Sequence, residues 1–264
     1  MTIKSLDLRS FKIPLGKLAP RETFKTRLGD VLSYRFYPAW SPDLVVLYHG
    51  VGGDSRYMCV LASAIAVSGA ASVVTPDFRC HGASLNSSDL IVENQLEVDL
   101  EELIVHLKMN RAISRVSLGG HSLGGGFALR IAVSEIRQRF ASFFALAPYM
   151  PPRLETFRSD FGGWVEPLPE GFRVKMPEVF RSGQEKLEYS GSYLKAVTSP
   201  DDIIERLKSI KPSVQVITGA QDEVVLPEKQ KEIFSEAGIG VHIISDLTHI
   251  SIVSQPQTYL NYLF

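Results

Sequence analysis

Short runs of branched and aromatic residues recur along the chain, with room for a helix between most of them. Residues 44–48, 72–75, 116–118, 142–146, 214–217 and 241–244 are too short for amphipathic helices and read as buried strands. Residues 24–26 and 31–36 flank the turn-forming Leu28-Gly29-Asp30, which predicts an antiparallel hairpin at the start. The clearest helix places Val92, Leu96, Leu100, Leu103, Ile104 and Leu107 on one face, with Glu93, Glu97, Glu101 and Glu102 largely opposite. Ser199-Pro200-Asp201-Asp202 has the form of a cap, a first-turn proline and an acidic first turn, and predicts another helix opening there. Strands alternating with helices imply an α/β fold: a mostly parallel sheet, helices on both faces, and functional residues at the carboxyl ends of the strands.

The alternation breaks over roughly residues 150–197. Pro151-Pro152, Gly162-Gly163, Pro167, Pro169 and Pro177 interrupt it, and the aromatics Phe157, Phe161, Trp164, Phe172, Phe180, Tyr189 and Tyr193 gather there. This predicts a short insert over 150–198, a cap, between a first core part at 1–149 and a second at 199–264. The aromatics fit a small core of the insert better than a substrate wall.

Composition narrows the partners. At 264 residues and 45% hydrophobic content the chain can bury the core of one large domain. The charge balance of 28 basic against 29 acidic side chains leaves a net −1. No global field then draws the chain to nucleic acid or steers a charged substrate. The first residues lack a signal-peptide core and no uninterrupted apolar run reaches spanning length, so we expect a cytoplasmic protein with no integral membrane segment. Cys59 and Cys80 fit no metal-ligand spacing and are expected as free thiols. Oligomeric state is left open.

One motif carries chemistry. Gly120-His121-Ser122-Leu123-Gly124 fits Gly-x-Ser-x-Gly, between the strand-like residues 115–118 and the apolar, helix-compatible residues 127–133. Gly120 and Gly124 would let strand and helix approach closely enough for Ser122 to stand exposed in a strained turn. A serine hydroxyl is a weak nucleophile at neutral pH, so it needs an imidazole to take its proton and a carboxylate to orient that imidazole. His249 lies in a turn after the last strand, where the order Ser…Asp…His puts the base; His106 reads as a helix-surface residue and His242 as a strand residue. Asp222, just past the strand at 214–217, is the candidate acid, with Glu223 and Asp246 as alternatives if the turn is rotated. Asp246 reads better as a turn former. The oxyanion hole requires two backbone donors. Leu123 N–H is one, and Val51 N–H, in the turn His49-Gly50-Val51-Gly52-Gly53, is the candidate for the other, with His49 and Gly50 as supporting-loop residues.

These residues together resemble the α/β-hydrolase superfamily, and more closely its monoacylglycerol lipase and lysophospholipase-like branch, which includes serine aminopeptidase relatives. His49-Gly50-Val51-Gly52, Arg56-Tyr57 and Asp77-Phe78-Arg79-Cys80-His81-Gly82-Ala83-Ser84 look like that branch's stretches; the likeness covers 24–148 and, through the acid and base, 199–264. The resemblance implies an α/β-hydrolase fold, a triad of Ser122, Asp222 and His249, an oxyanion hole from Val51 and Leu123, no cofactor and no metal. It also implies a cap over the site, with Asp77 and Arg79 as structural anchors. Cys80 stands in place of a glycine, Gly53 where lipases of the branch often carry glutamate, and the insert is short. The expected activity is hydrolysis of a lipophilic carboxylic ester through an acyl-enzyme. Thioester, amide or carbon–carbon hydrolysis on the same triad is the alternative, and non-catalytic ligand binding the remote one.

Overall fold

The computed structural model describes residues 18–87, 90, 92–150, 153–158, 165–175 and 185–264. Its centre is an eight-stranded sheet in the order β1-β2-β4-β3-β5-β6-β10-β11. The expected hairpin is β1 (Arg21–Lys25) against β2 (Val31–Tyr37), and β2 continues antiparallel onto β4 (Ser72–Pro76). From β4 the sheet is parallel through β3 (Leu44–Tyr48), β5 (Val116–His121), β6 (Ser142–Leu146), β10 (Val214–Gly219) and β11 (Val241–Ile244). Every residue of β3 and β4 is buried, the signature of strands covered on both faces. One apolar cluster lies under α2 (Gln95–Asn110), α3 (Leu123–Ala132), α5 (Ile203–Ile210) and α6 (Pro227–Glu236). The opposite cluster lies under α1 (Cys59–Val67) and α7 (Ser251–Ser254).

Three local expectations shift. Strand β5 runs three residues further than its branched run, to His121, because Gly119 and Gly120 stay extended; a Cβ on Gly119 would sit 2.2 Å from the Phe144 ring. Helix α2 begins at Gln95, leaving Val92 exposed ahead of it. Helix α5 begins at Ile203 with Asp202 at its cap, not at Ser199, because Ile203 N–H closes a turn onto the Pro200 carbonyl (3.1 Å) before the helix starts.

Between β6 and α5 the insert forms a three-stranded antiparallel sheet of β7 (Val165–Leu168), β8 (Gly171–Val174) and β9 (Glu188–Ser190). The short helix α4 (Gly191–Val197) follows, capped by Ser190 Oγ accepting from Tyr193 N–H. Tyr189 stacks on Phe172 and meets Tyr193 edge-on, but both tyrosines are buried in the same apolar cluster as α2 and α3, so these aromatics extend the main core rather than form the separate small core expected. Phe161, Trp164 and Phe180 lie outside the described residues. Among the described residues no helix is long and apolar enough to cross a membrane.

Candidate active site

Register brings the carboxyl ends of the parallel strands together: Tyr48 of β3 aligns with Gly120 of β5, and Gly120 with Ala145 of β6. Ser122, between β5 and α3, has φ 53 and ψ −112, a left-handed conformation that costs a non-glycine residue about 1–3 kcal/mol. Its backbone is held against that cost. Ser122 N–H donates to the Leu146 carbonyl (2.9 Å), and the Ser122 carbonyl accepts from Gly126 N–H and Tyr149 N–H (2.9 Å each). The glycines of the motif are steric requirements: a Cβ on Gly120 would meet the Gly124 backbone at 2.3 Å, and one on Gly124 the Tyr48 carbonyl at 2.5 Å.

Asp222 and His249, one just past β10 and the other after β11, meet. His249 Nδ1–H donates to Asp222 Oδ2 at 2.9 Å, and the other carboxylate oxygen accepts from Val224 N–H and Val225 N–H at 2.8 Å each. Asp222 is fully buried and His249 is 4% exposed, so the pair is shielded from water. Burial alone would lower the His249 pKa, but the Asp222 carboxylate outweighs it, and the imidazole is held above its ordinary value. Glu223, the alternative acid, is placed differently: its Oε2 accepts from the backbone N–H of His249 (2.9 Å) rather than from the ring. Asp246 is exposed. Among the described residues no hydrogen bond joins Ser122 Oγ to His249, a contact that tightens in many such sites only with substrate present. His106 is less of a surface residue than expected, since it stacks on Phe24 and bonds to the Tyr34 hydroxyl.

The loop after β3 lies beside the serine: a Cβ on Gly50 would sit 3.3 Å from Ser122 Cβ. His49, fully buried, braces it. Its Nε2 accepts from Phe78 N–H (3.1 Å), which leaves Nδ1–H to donate to the Gly50 carbonyl (2.9 Å); burial holds this ring below the ordinary histidine pKa. Gly53 N–H donates to the same carbonyl, and Gly52 N–H to the Tyr189 hydroxyl. Neither Val51 N–H nor Leu123 N–H has a hydrogen-bond partner among the described residues. Asp77 ties the neighbouring loop together, accepting from the Ser33 hydroxyl, Ser55 N–H and Ala83 N–H; Arg79 forks onto Asp99. Cys80 has φ 62, which is why a glycine suits that position.

The sequence does not reveal the partners of the candidate base. His121 Nε2–H donates to the His249 carbonyl (2.7 Å), and its Nδ1 accepts from the Tyr57 hydroxyl (2.9 Å). Burial, then the neighbouring His249, keeps His121 far below its ordinary pKa and so neutral. His249 is therefore gripped at both backbone ends, N–H by Glu223 and C=O by His121. Arg158, at the start of the insert, donates to the Asp222 carbonyl (2.7 Å) and steadies the acid loop. Composition offers no signal for these contacts; the one sequence cue was that His121 sits inside the motif, next to the serine.

A mostly parallel sheet whose strand β5 ends on a left-handed serine ahead of a helix, beside a buried carboxylate–imidazole pair from the last two strands, defines the class of α/β folds built around a strand–serine–helix elbow. The model of the alpha/beta hydrolase family matches residues 44–261, and the chain belongs to that family. It is 30% identical over 125 residues to an sn-1-specific diacylglycerol lipase, ABHD11, of Xenopus tropicalis; the match covers 46% of this chain and 37% of the relative. The chain thus aligns with well under half the length of that curated relative. Among solved structures it resembles the Pyrococcus furiosus esterase Pf2001 (TM-score 0.64, 19% identity, 97% of this chain and 92% of that one). It also resembles Est1E from Butyrivibrio proteoclasticus (TM-score 0.65, 16% identity, 93% and 98%). At these identities the structural likeness speaks for the fold.

Proposed function

We propose that the chain is a serine hydrolase of lipophilic carboxylic esters, with Ser122 as nucleophile, His249 as base and Asp222 as its orienting acid. The observation that carries this reading is the buried 2.9 Å contact between His249 Nδ1 and Asp222 Oδ2, made at the strand ends where the elbow presents Ser122. Asp222 fixes the tautomer that leaves Nε2 free to accept a proton. In the reaction Ser122 Oγ attacks the ester carbonyl as its proton passes to His249 Nε2. The imidazolium so formed is stabilised by Asp222, and it then protonates the departing alcohol. Water, deprotonated by the same imidazole, attacks the acyl-enzyme and releases the acid. The negative carbonyl oxygen of each tetrahedral intermediate is assigned to Val51 N–H and Leu123 N–H, the two unused donors beside Ser122.

The similarity to an sn-1-specific diacylglycerol lipase supports an acylglycerol-like lipid ester. Residues 150–198, which reach both the acid loop through Arg158 and the loop after β3 through Tyr189, serve as a cap in this reading. Localisation in the cytoplasm belongs to the same proposal. The test is hydrolysis of a short-to-long series of p-nitrophenyl esters and of mono- and diacylglycerols. Ser122→Ala should lower turnover by about six orders of magnitude and abolish labelling by a fluorophosphonate. A preference for long chains supports the lipid ester; activity confined to short esters removes it, and labelling that survives Ser122→Ala removes Ser122 as nucleophile.

A further inference from the structure

We infer that Tyr189, on strand β9 of the insert, is a positioning residue for the oxyanion hole, an inference that rests on the assignment of Val51 N–H as an oxyanion donor. The two peptide planes on either side of Val51 are each held at one end. In a trans peptide the carbonyl and the following N–H point in opposite directions, so whatever grips one end of the plane aims the other. The plane before Val51 is gripped by its carbonyl: Gly50 O accepts from His49 Nδ1–H (2.9 Å) and from Gly53 N–H (3.2 Å), which turns Val51 N–H the other way. The plane after Val51 is gripped by its N–H: Gly52 N–H donates to the Tyr189 hydroxyl (2.9 Å). Both torsions of Val51 are thereby bounded, one side by the core and the other by the insert. Gly52 itself has φ 67 and no Cβ, so apart from that bond the turn is closed only by the longer Gly53 N–H contact to the Gly50 carbonyl (3.2 Å).

The hydroxyl that does this is fixed in turn. It donates to His81 Nε2 (2.7 Å), while His81 Nδ1–H donates to the Arg79 carbonyl (3.0 Å) and burial holds the ring far below its ordinary pKa, keeping it an acceptor. The Tyr189 ring is 1% exposed and stacked on Phe172, so the oxygen has one position. The hydrogen bonds from the Arg79 carbonyl through His81 to the Tyr189 hydroxyl and Gly52 N–H therefore run in one direction, with the Tyr193 hydroxyl as a second donor to the Arg79 carbonyl. Their effect is to make the insert part of the frame around the second oxyanion donor: with β9 docked, the peptide on the far side of Val51 is held as well as the one that carries its N–H.

Tyr189→Phe removes the hydroxyl and keeps the ring. Removing an oxyanion donor outright costs about 10²–10³ in kcat, and a donor left in place but less well aimed should cost about 10-fold. The variant is therefore expected to lose about 10-fold in kcat on a short p-nitrophenyl ester with KM little changed, and its Gly52 amide should exchange hydrogen faster than in the wild type. Tyr193→Phe is the control, since Tyr193 is an equally buried hydroxyl of the insert that donates to the Arg79 carbonyl (3.0 Å) and approaches His81 Nδ1 (3.4 Å) but has no bond to the loop after β3; with the stronger His81–Arg79 bond left in place, it should keep wild-type kcat. Unchanged kcat or unchanged Gly52 exchange in Tyr189→Phe overturns the inference, as does an equal kcat loss in Tyr193→Phe. Hydrolysis that survives Ser122→Ala removes Ser122 as nucleophile and the positioning role with it, while the Gly52 exchange rate still reports whether the contact is real.

Discussion

Two carboxylates, one residue apart, both bond His249, yet they do different work because one reaches the ring and the other the backbone. Asp222→Asn keeps the shape but presents an amide to Nδ1 and can favour the wrong tautomer; kcat should fall by about 10⁴. Glu223→Gln retains an oxygen acceptor for His249 N–H and should cost less than about 10-fold. The reverse ranking would transfer the acid role to Glu223. The same contact sets a pH dependence. The base must be neutral to act, and its pKa is raised, so the acid limb of kcat/KM should lie above the ordinary histidine value of 6.5. A limb at or below 6.5 would mean that the Asp222 carboxylate does not govern His249 in solution. At this scale the sequence singled out Ser122 by its motif and Asp222 and His249 by their order along the chain, and the structure brings the last two into contact. The sequence could not identify His121, Tyr57 or Tyr189 as supports, since their partners lie 128, 64 and 137 residues away and the bonds go to a backbone carbonyl, a ring nitrogen and a backbone amide.

At the scale of elements, the strand–serine–helix turn is the most tightly constrained piece. Gly124→Ala would drive a methyl to 2.5 Å from the Tyr48 carbonyl, backbone against backbone, where neither side can yield cheaply. It should cost about 1–3 kcal/mol or more of stability and displace Ser122. Gly191→Ala, with nothing within 4 Å of its added Cβ and a place at the start of α4, should leave the denaturation midpoint unchanged or slightly raised. If both glycines tolerate alanine alike, the close approach of strand and helix is not what the motif preserves. Strand positions were legible because covered strands are unbroken apolar runs, as in β3 and β6. Helix starts were less so: Ser199-Pro200-Asp201-Asp202 has capping chemistry at two successive places, and only the turn onto the Pro200 carbonyl selects the later one. The insert's strands, with half-buried and exposed positions and prolines among them, left no comparable period.

Across the whole molecule, three histidines are buried neutral, each with a ring nitrogen occupied as an acceptor: His49 by Phe78 N–H, His81 by the Tyr189 hydroxyl and His121 by the Tyr57 hydroxyl. Burial lowers the pKa of all three. The sign follows from proton counting. As pH falls through about 6.5 the unfolded chain takes up protons at these sites that the folded chain refuses, so the folded state loses stability from about pH 6.5 downward. His249, with its raised pKa, works in the opposite direction, one group against three. Urea midpoints at pH 7.5, 6.5 and 5.5 should therefore fall in that order; midpoints that stay level or rise on acidification would show that these rings are not held neutral.

The sheet order also has a consequence for synthesis. Strand β6 pairs on one side with β5, already made, and on the other with β10, whose residues follow only after the insert and α5. A chain leaving the ribosome carries its serine long before it carries His249, 128 residues after His121, so on the proposed mechanism the half-made protein has no base to activate that serine. Over the same interval Phe143, Phe144, Ala145 and Leu146 present an unpaired apolar edge that awaits Val214–Gly219. The nascent chain therefore carries an adhesive edge until β10 arrives to cover it, bringing Asp222 with it; on the proposed mechanism it stays chemically silent until His249 follows β11.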